Sequence, residues 1–192
     1  MNKKAFFDNV RLDFGVLSQS QVNGFDFVLD YWKGSNITDV RQFAYILGTI
    51  YHETATTMQP IEEFGKGKGK DYGKKLKMNR KPYSTPNFIY YGRGYTQNTW
   101  FENYEKLTKL AKSQGHDWDF LNNPDLFLQP EPSIWATFES MQLGLYTGRK
   151  LSMYFNTASC DWFGARQVVN GLDRAKLIAD YSQKFYKALC SA

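Results

Sequence analysis

Three glutamates, Glu53, Glu62 and Glu63, fall close together in the first third of the chain. Carboxyl groups in pairs can split the bond between two sugars: one protonates the leaving oxygen, and the other holds a water or attacks carbon. Glu53 lies seven residues after Ile46 and three after Ile50, at the edge of an apolar stripe and near the C-terminal end of a predicted helix. Desolvation and the negative end of the helix dipole both disfavour an ionised carboxylate there, which suits a proton donor. A glutamate in this position also fits an ion pair with a nearby lysine or arginine. Glu62 and Glu63 follow Pro60 and therefore leave that helix, so either can face Glu53 from a different element. With Lys66, Lys68 and Lys70 just beyond, the same pair also fits a solvated charged loop.

A second dense stretch is YYGRGYTQNTW, residues 90 to 100. Its aromatic faces, Tyr91 among them, can stack on sugar rings, and Gln97 and Thr99, with Asn103 just after, supply the paired donors and acceptors that hydroxyl and N-acetyl groups require. The two glycines permit close approach of the backbone to a ligand. Read alone, the string also fits a glycine bend between a strand and a helix. GKGKGK, residues 65 to 70, lacks the Ser or Thr of a nucleotide loop and reads as a mobile basic lip able to attract an anionic polymer. HETAT, from His52, begins like a zinc-protease motif, but Thr56 stands where the second ligand belongs. His52 and His116 are the only histidines, which excludes a multi-histidine metal centre. Cys160 and Cys190 show no metal or redox spacing and are expected to be buried free thiols.

Helices must position these groups. Ser18 and Gln21 form a capping box ahead of Val22, Phe25, Val28 and Leu29. Thr38, with Asp39 in the first turn, announces the helix whose apolar residues are Phe43, Ile46, Leu47, Ile50 and Tyr51. Trp100, Tyr104, Leu107, Leu110 and Ala111 mark another. Ile134, Trp135, Phe138, Met141 and Leu145 mark a further one, closed by Gly148. Asp173 caps the last, carrying Leu177, Ile178, Tyr181, Phe185 and Leu189. Between residues 60 and 99 helical periodicity vanishes, and the one β-like run is Phe88-Ile89-Tyr90-Tyr91.

The length, 192 residues with 42% hydrophobic content, predicts one domain over residues 1 to 192 with a real core. A formal charge of +5 favours anionic partners, nucleic acid or a phosphate-bearing cell wall, without choosing between them. No apolar run approaches the roughly 20 residues that span a bilayer, so no membrane insertion is expected. MNKKAFFDNVRLDFG is interrupted by charge too early for a secretory leader, so export is expected to depend on another route.

Together, AYILGTIYHETATTMQPIEEFG, YYGRGYTQNTWFENYEKL and ARQVVNGLDRAKLIADYSQKFYKAL resemble glycoside hydrolase family 19, which includes chitinases and many phage or bacterial endolysins. The resemblance covers residues 40 to 110 and 160 to 190. It implies a mainly α (α+β) lysozyme-like helical domain, with a small β-hairpin or irregular lobe forming a substrate cleft. It also implies an inverting mechanism that uses no cofactor and no metal. Glu53 matches the family's acid and Glu63 its base, with Glu62 the alternative. Gln97, Tyr91 and Asn103 fall on substrate-binding positions, Thr99 on the position that holds the attacking water, and Asn170 of VNG on a cleft-lining asparagine. Arg166 is placed to tune Glu53. The implied substrate is a peptidoglycan or chitin-like polysaccharide, not nucleic acid, and the implied state is a monomer. The chain lacks the many cysteines and much of the loop sequence of plant chitinases, a departure that counts against chitin specificity. The resemblance to endolysins further implies residence in a host cytoplasm until a membrane hole releases the protein to the wall.

Overall fold

Asp39 starts the helix that matters most: its Oδ1 accepts the Arg41 N–H at 2.9 Å. In the computed structural model, which describes residues 1–192, this helix, α3, spans Val40–Glu53. The cap is thus Asp39 itself, one residue later than the expected signal at Thr38. Two helices precede it, α1 (Lys3–Phe14) and α2 (Gln19–Lys33), and the capping box of Ser18 and Gln21 is present at the start of α2. α4 (Phe101–Ser113), α5 (Pro130–Leu143) and α6 (Ala175–Cys190) follow. The only sheet pairs β1 (Ile61–Glu62) with β2 (Arg93–Gly94), antiparallel, Ile61 opposite Gly94 and Glu62 opposite Arg93. The architecture is mainly α, and no helix is long and apolar enough to cross a membrane.

The chain divides into two compact units, Met1–Met58 with Phe138–Ala192, and Gln59–Thr137. In the first, α3 packs against α6, and α1 also packs on α6. A one-sided apolar stripe was expected on α3, but every residue from Phe43 to Tyr51 is buried. The opposite face carries Ala44, Gly48 and Thr49, small enough to be enclosed, and Tyr45, which packs against Phe155, so the helix is covered all round. Gly48 allows the closest approach: a Cβ there would sit 2.9 Å from the Ser182 backbone nitrogen on α6. The rings of Phe14, Phe25, Tyr51 and Phe185 meet around these helices, Phe14 stacking on Phe185 with centroids 4.6 Å apart.

The second unit has its own aromatic core, in which Phe101, Tyr90, Tyr104, Phe127 and Phe120 touch in that order. The β-like run from Phe88 to Tyr91 forms no strand. The Tyr90 carbonyl accepts the Trp100 N–H, and the Tyr91 carbonyl accepts the Tyr104 hydroxyl, so those acceptors are not free for a ladder. GKGKGK forms a string of tight turns: Lys66, Lys68 and Lys70 donate backbone N–H groups to the carbonyls of Glu63, Gly65 and Gly67. All three glycines have positive φ, and a Cβ on Gly67 would meet the Tyr72 ring at 3.2 Å.

Three further expectations shift. α5 stops at Leu143, because Gly144 turns left-handed at φ 73°, and Gly148 closes only the following turn. α6 has no aspartate cap. Arg174, at φ 59°, occupies that position, while the Asp173 carbonyl accepts Arg166 Nε. Cys160 and Cys190 are free but exposed, one at the end of a turn bridged to Phe155 and one in the last turn of α6, where neither reaches a core.

Candidate active site

Glu53 is the last residue of α3, and the chain closes tightly behind it. Thr54 donates its hydroxyl to the Ile50 carbonyl at 2.8 Å and accepts the Met58 N–H at 3.1 Å. The backbone then turns left-handed at Ala55 and Thr56, where Gln21 Nε2 holds the Thr56 carbonyl. Within this unit Glu53 Oε1 receives Arg166 Nη1 at 2.7 Å, the arginine 4% and the glutamate 16% exposed at their side chains. Arg166 Nε is fixed in turn by the Asp173 carbonyl at 3.0 Å. The ion pair foreseen as one reading of Glu53 is therefore present, with an arginine distant in sequence. Oε2 makes no hydrogen bond in the protein and is not sealed from water. One oxygen is anchored and the other is open. His52, beside it, is half-buried, and burial, reinforced by Arg166 and Arg174 against Glu53 and Asp173, holds its imidazole below its ordinary range and favours the neutral ring. Asn170 is exposed, its Oδ1 accepting the Gly171 N–H. Its own N–H reaches the Arg166 carbonyl at 3.0 Å, so it lies on the loop that carries Arg166.

In the second unit, the β1–β2 pairing brings Glu62, Glu63, Tyr91 and Gln97 together and treats the two acids differently. Glu62 is exposed. Lys66 Nζ at 3.0 Å and the Tyr91 hydroxyl at 3.0 Å hold its carboxyl below the usual carboxylate range, the lysine bond first. Glu63 accepts the Tyr72 hydroxyl on Oε1 at 2.8 Å and the Gly92 N–H on Oε2 at 3.0 Å, while its own backbone N–H donates to the Gly92 carbonyl at 2.7 Å. Burial first, then the bond to Glu63, push the Tyr72 phenol up, so it remains a donor. The Tyr72 ring rests edge-on against Trp100, centroids 5.5 Å apart.

Gln97 sits at φ 51° and donates Nε2 to the carbonyls of Ile61 and Gly94 at 3.0 and 3.2 Å. A Cβ on Gly92 would come within 2.8 Å of Gln97 Oε1 and 3.2 Å of Glu63 Cβ, so only glycine leaves room for both side chains. Arg93 locks the GRG turn. Buried to 4% exposure, it lies over the Tyr91 ring at 3.6 Å and donates to Asp125, the Ile89 carbonyl and the Tyr104 hydroxyl. Thr99 is half-buried with its hydroxyl unpaired, and its carbonyl accepts Asn103 Nδ2 at 2.9 Å. Asn103 Oδ1 is buried without a partner.

Tyr72 and the Gly92 N–H were not foreseen as holders of Glu63. Tyr72 lies in the glycine and lysine stretch, where no periodicity signals a contact. Thr54, which fixes the backbone behind Glu53, was read only as part of HETAT.

Six helices and a single two-stranded sheet make up a fold shared with family 19 chitinases. The chain superposes on a mutant of chitinase C (TM-score 0.58, 17% identity, 100% of this chain and 93% of that one). It also superposes on a bacterial family 19 chitinase described as differing from plant enzymes (TM-score 0.54, 21% identity, 98% of this chain and 94% of that one). At the level of sequence, no family profile matches the chain and no curated protein does.

Proposed function

We propose that the protein is an endo-acting glycoside hydrolase, an N-acetylmuramidase that cuts the β-1,4 links of peptidoglycan by inversion. The observation that carries this reading is the contrast between Glu53 and Glu63: a carboxyl with one oxygen anchored and one open, and a carboxylate held on both oxygens by uncharged donors. In this mechanism Glu53 Oε2 gives its proton to the glycosidic oxygen. Arg166 holds Oε1 and so sets the direction from which that proton is delivered. Glu63, with one lone pair on each oxygen still available, takes a proton from the attacking water, and the Thr99 hydroxyl helps to orient that water. Gln97, Tyr91, Asn103 and Asn170 are assigned to sugar binding, and both units belong to one catalytic domain. Both structural neighbours are chitinases, which supports cleavage of N-acetylated amino-sugar polymers and makes chitin the alternative substrate.

The test is Glu53→Gln, which keeps the side chain's shape and removes the acidic proton. Turnover of purified peptidoglycan, followed by release of reducing ends, is expected to fall at least about 1,000-fold with the melting temperature little changed. Near-normal turnover overturns the assignment. Mass analysis of the fragments separates the substrates: N-acetylmuramic acid at the new reducing end identifies the muramidase, and release from chitin oligomers identifies the alternative.

A further inference from the structure

At the start of α6, within the first unit, lies a concavity of about 550 Å³, within the roughly 300–1,000 Å³ range usual for ligand sites. Its apolar lining comes from Phe163, Leu172 and Leu177, which remain 50, 50 and 37% exposed. Arg174 and Lys176 lie on the same lining and make no ion pair or hydrogen bond through their side chains. Asp180 completes it, paired with Lys184 at 2.9 Å.

The concavity adjoins Glu53 through the chain itself. Arg166, which grips Glu53, takes the Phe163 carbonyl on its backbone N–H at 3.4 Å and the Asp173 carbonyl on Nε at 3.0 Å. Two lining residues, Phe163 and Arg174, therefore flank the groups that fix the arginine. Arg174 also holds a left-handed backbone, φ 59°, unfavourable for a residue with a side chain.

We infer that this concavity receives the peptide stem borne by the muramic acid residues of peptidoglycan, an inference that rests on the hydrolase reading above. The stem is short and rich in alanine methyl groups, carries carboxylates, and commonly includes one amine. Two uncommitted cations, an apolar floor and one carboxylate match that set group for group, with Arg174 and Lys176 on the carboxylates and Asp180 on the amine. Chitin offers neither charge nor peptide and would leave both cations without counter-charges.

Two measurements test this on the full chain. Titration calorimetry with the free stem tetrapeptide is expected to show binding to the wild type, weakened about tenfold or more by Arg174→Glu and by Leu172→Asp. Hydrolysis is then compared on intact glycan strands and on strands stripped of peptide by an amidase. The ratio of kcat/KM on intact to stripped strands is expected to fall about tenfold in the same variants. Absent peptide binding, or an unchanged ratio, overturns the inference while leaving the hydrolase reading intact. A wild type that binds the peptide yet cuts neither glycan refutes the hydrolase reading and supports the peptide site. Thermal melts check that the variants fold, and Lys176→Glu, exposed on the first turn of α6, replaces any that does not.

Discussion

Glu53 and Glu63 are held by opposite means. The first unit fixes Glu53 with a charge, Arg166, and builds it into the end of a helix buried on every side. The second unit fixes Glu63 with a phenol and a backbone N–H, on a segment with almost no regular structure. A charged partner positions strongly but occupies one carboxyl oxygen. The two neutral donors hold both oxygens of Glu63 and leave one lone pair free on each. The difference teaches that regular structure is not what makes a carboxyl well placed: Tyr72 and Gly92 hold both oxygens of Glu63 on an irregular segment, whereas Glu53 at the end of α3 is held on one oxygen, by Arg166.

The sharpest way to break the comparison is to exchange the neighbouring acids. Glu63→Gln is expected to lower kcat by about 100- to 1,000-fold or more, and Glu62→Gln by no more than about threefold, measured as reducing-end release. The reverse order would move the base to Glu62. Next comes Arg166→Leu, which strips the charge from a nearly buried pair. A loss of about 3 kcal/mol in unfolding free energy is expected by denaturant titration, and Arg166→Lys should recover only part of it, since one ammonium cannot serve Glu53 and the Asp173 carbonyl with the same fork. Tyr72→Phe removes one hydrogen bond to the Glu63 carboxyl, worth about 1.5 kcal/mol, and should reduce kcat about tenfold with KM nearly constant.

The smallest effect concerns His52. Its folded state favours the neutral ring, whereas the unfolded chain takes up a proton near pH 6.5. Below that pH the unfolded state binds more protons, so the contribution of His52 is fully present above about 6.5 and is lost as pH falls toward the depressed folded value. His52→Gln should therefore flatten the decline of melting temperature between about pH 6.5 and 5. An unaltered slope would assign that decline to other groups.

Much of the helical frame was legible in the sequence. The α2 capping box and the periodicities of α3, α4 and α6 report local physics, in which a residue's role depends on neighbours three or four positions away. The site was legible less evenly. Glu53 could be singled out from the edge of its stripe, but its partner lies 113 residues on, and no local rule selects Arg166 from the other basic residues. The ranking of Glu63 over Glu62 came from a family resemblance. Its physical correlate, the Tyr72 and Gly92 donors, depends on turns between residues 65 and 75 that carry no period at all. The misplaced strand at 88–91 has a similar origin: a β-prone composition whose carbonyls are claimed by Trp100 and Tyr104 from farther along the chain.

Gly48 gives the first unit a reference point. With Ser182 pressed against it and neighbouring residues enclosed on all sides, α3 can neither rotate nor slide along α6 without a steric collision. Glu53 lies five residues further along that rigid axis, so its coordinates are inherited from the hydrophobic interior. Substitutions at Gly48, Leu47 or Ser182 then become aiming errors, moving the proton donor by a fraction of a helical turn, and random mutagenesis for lost catalysis should recover them far from any sugar.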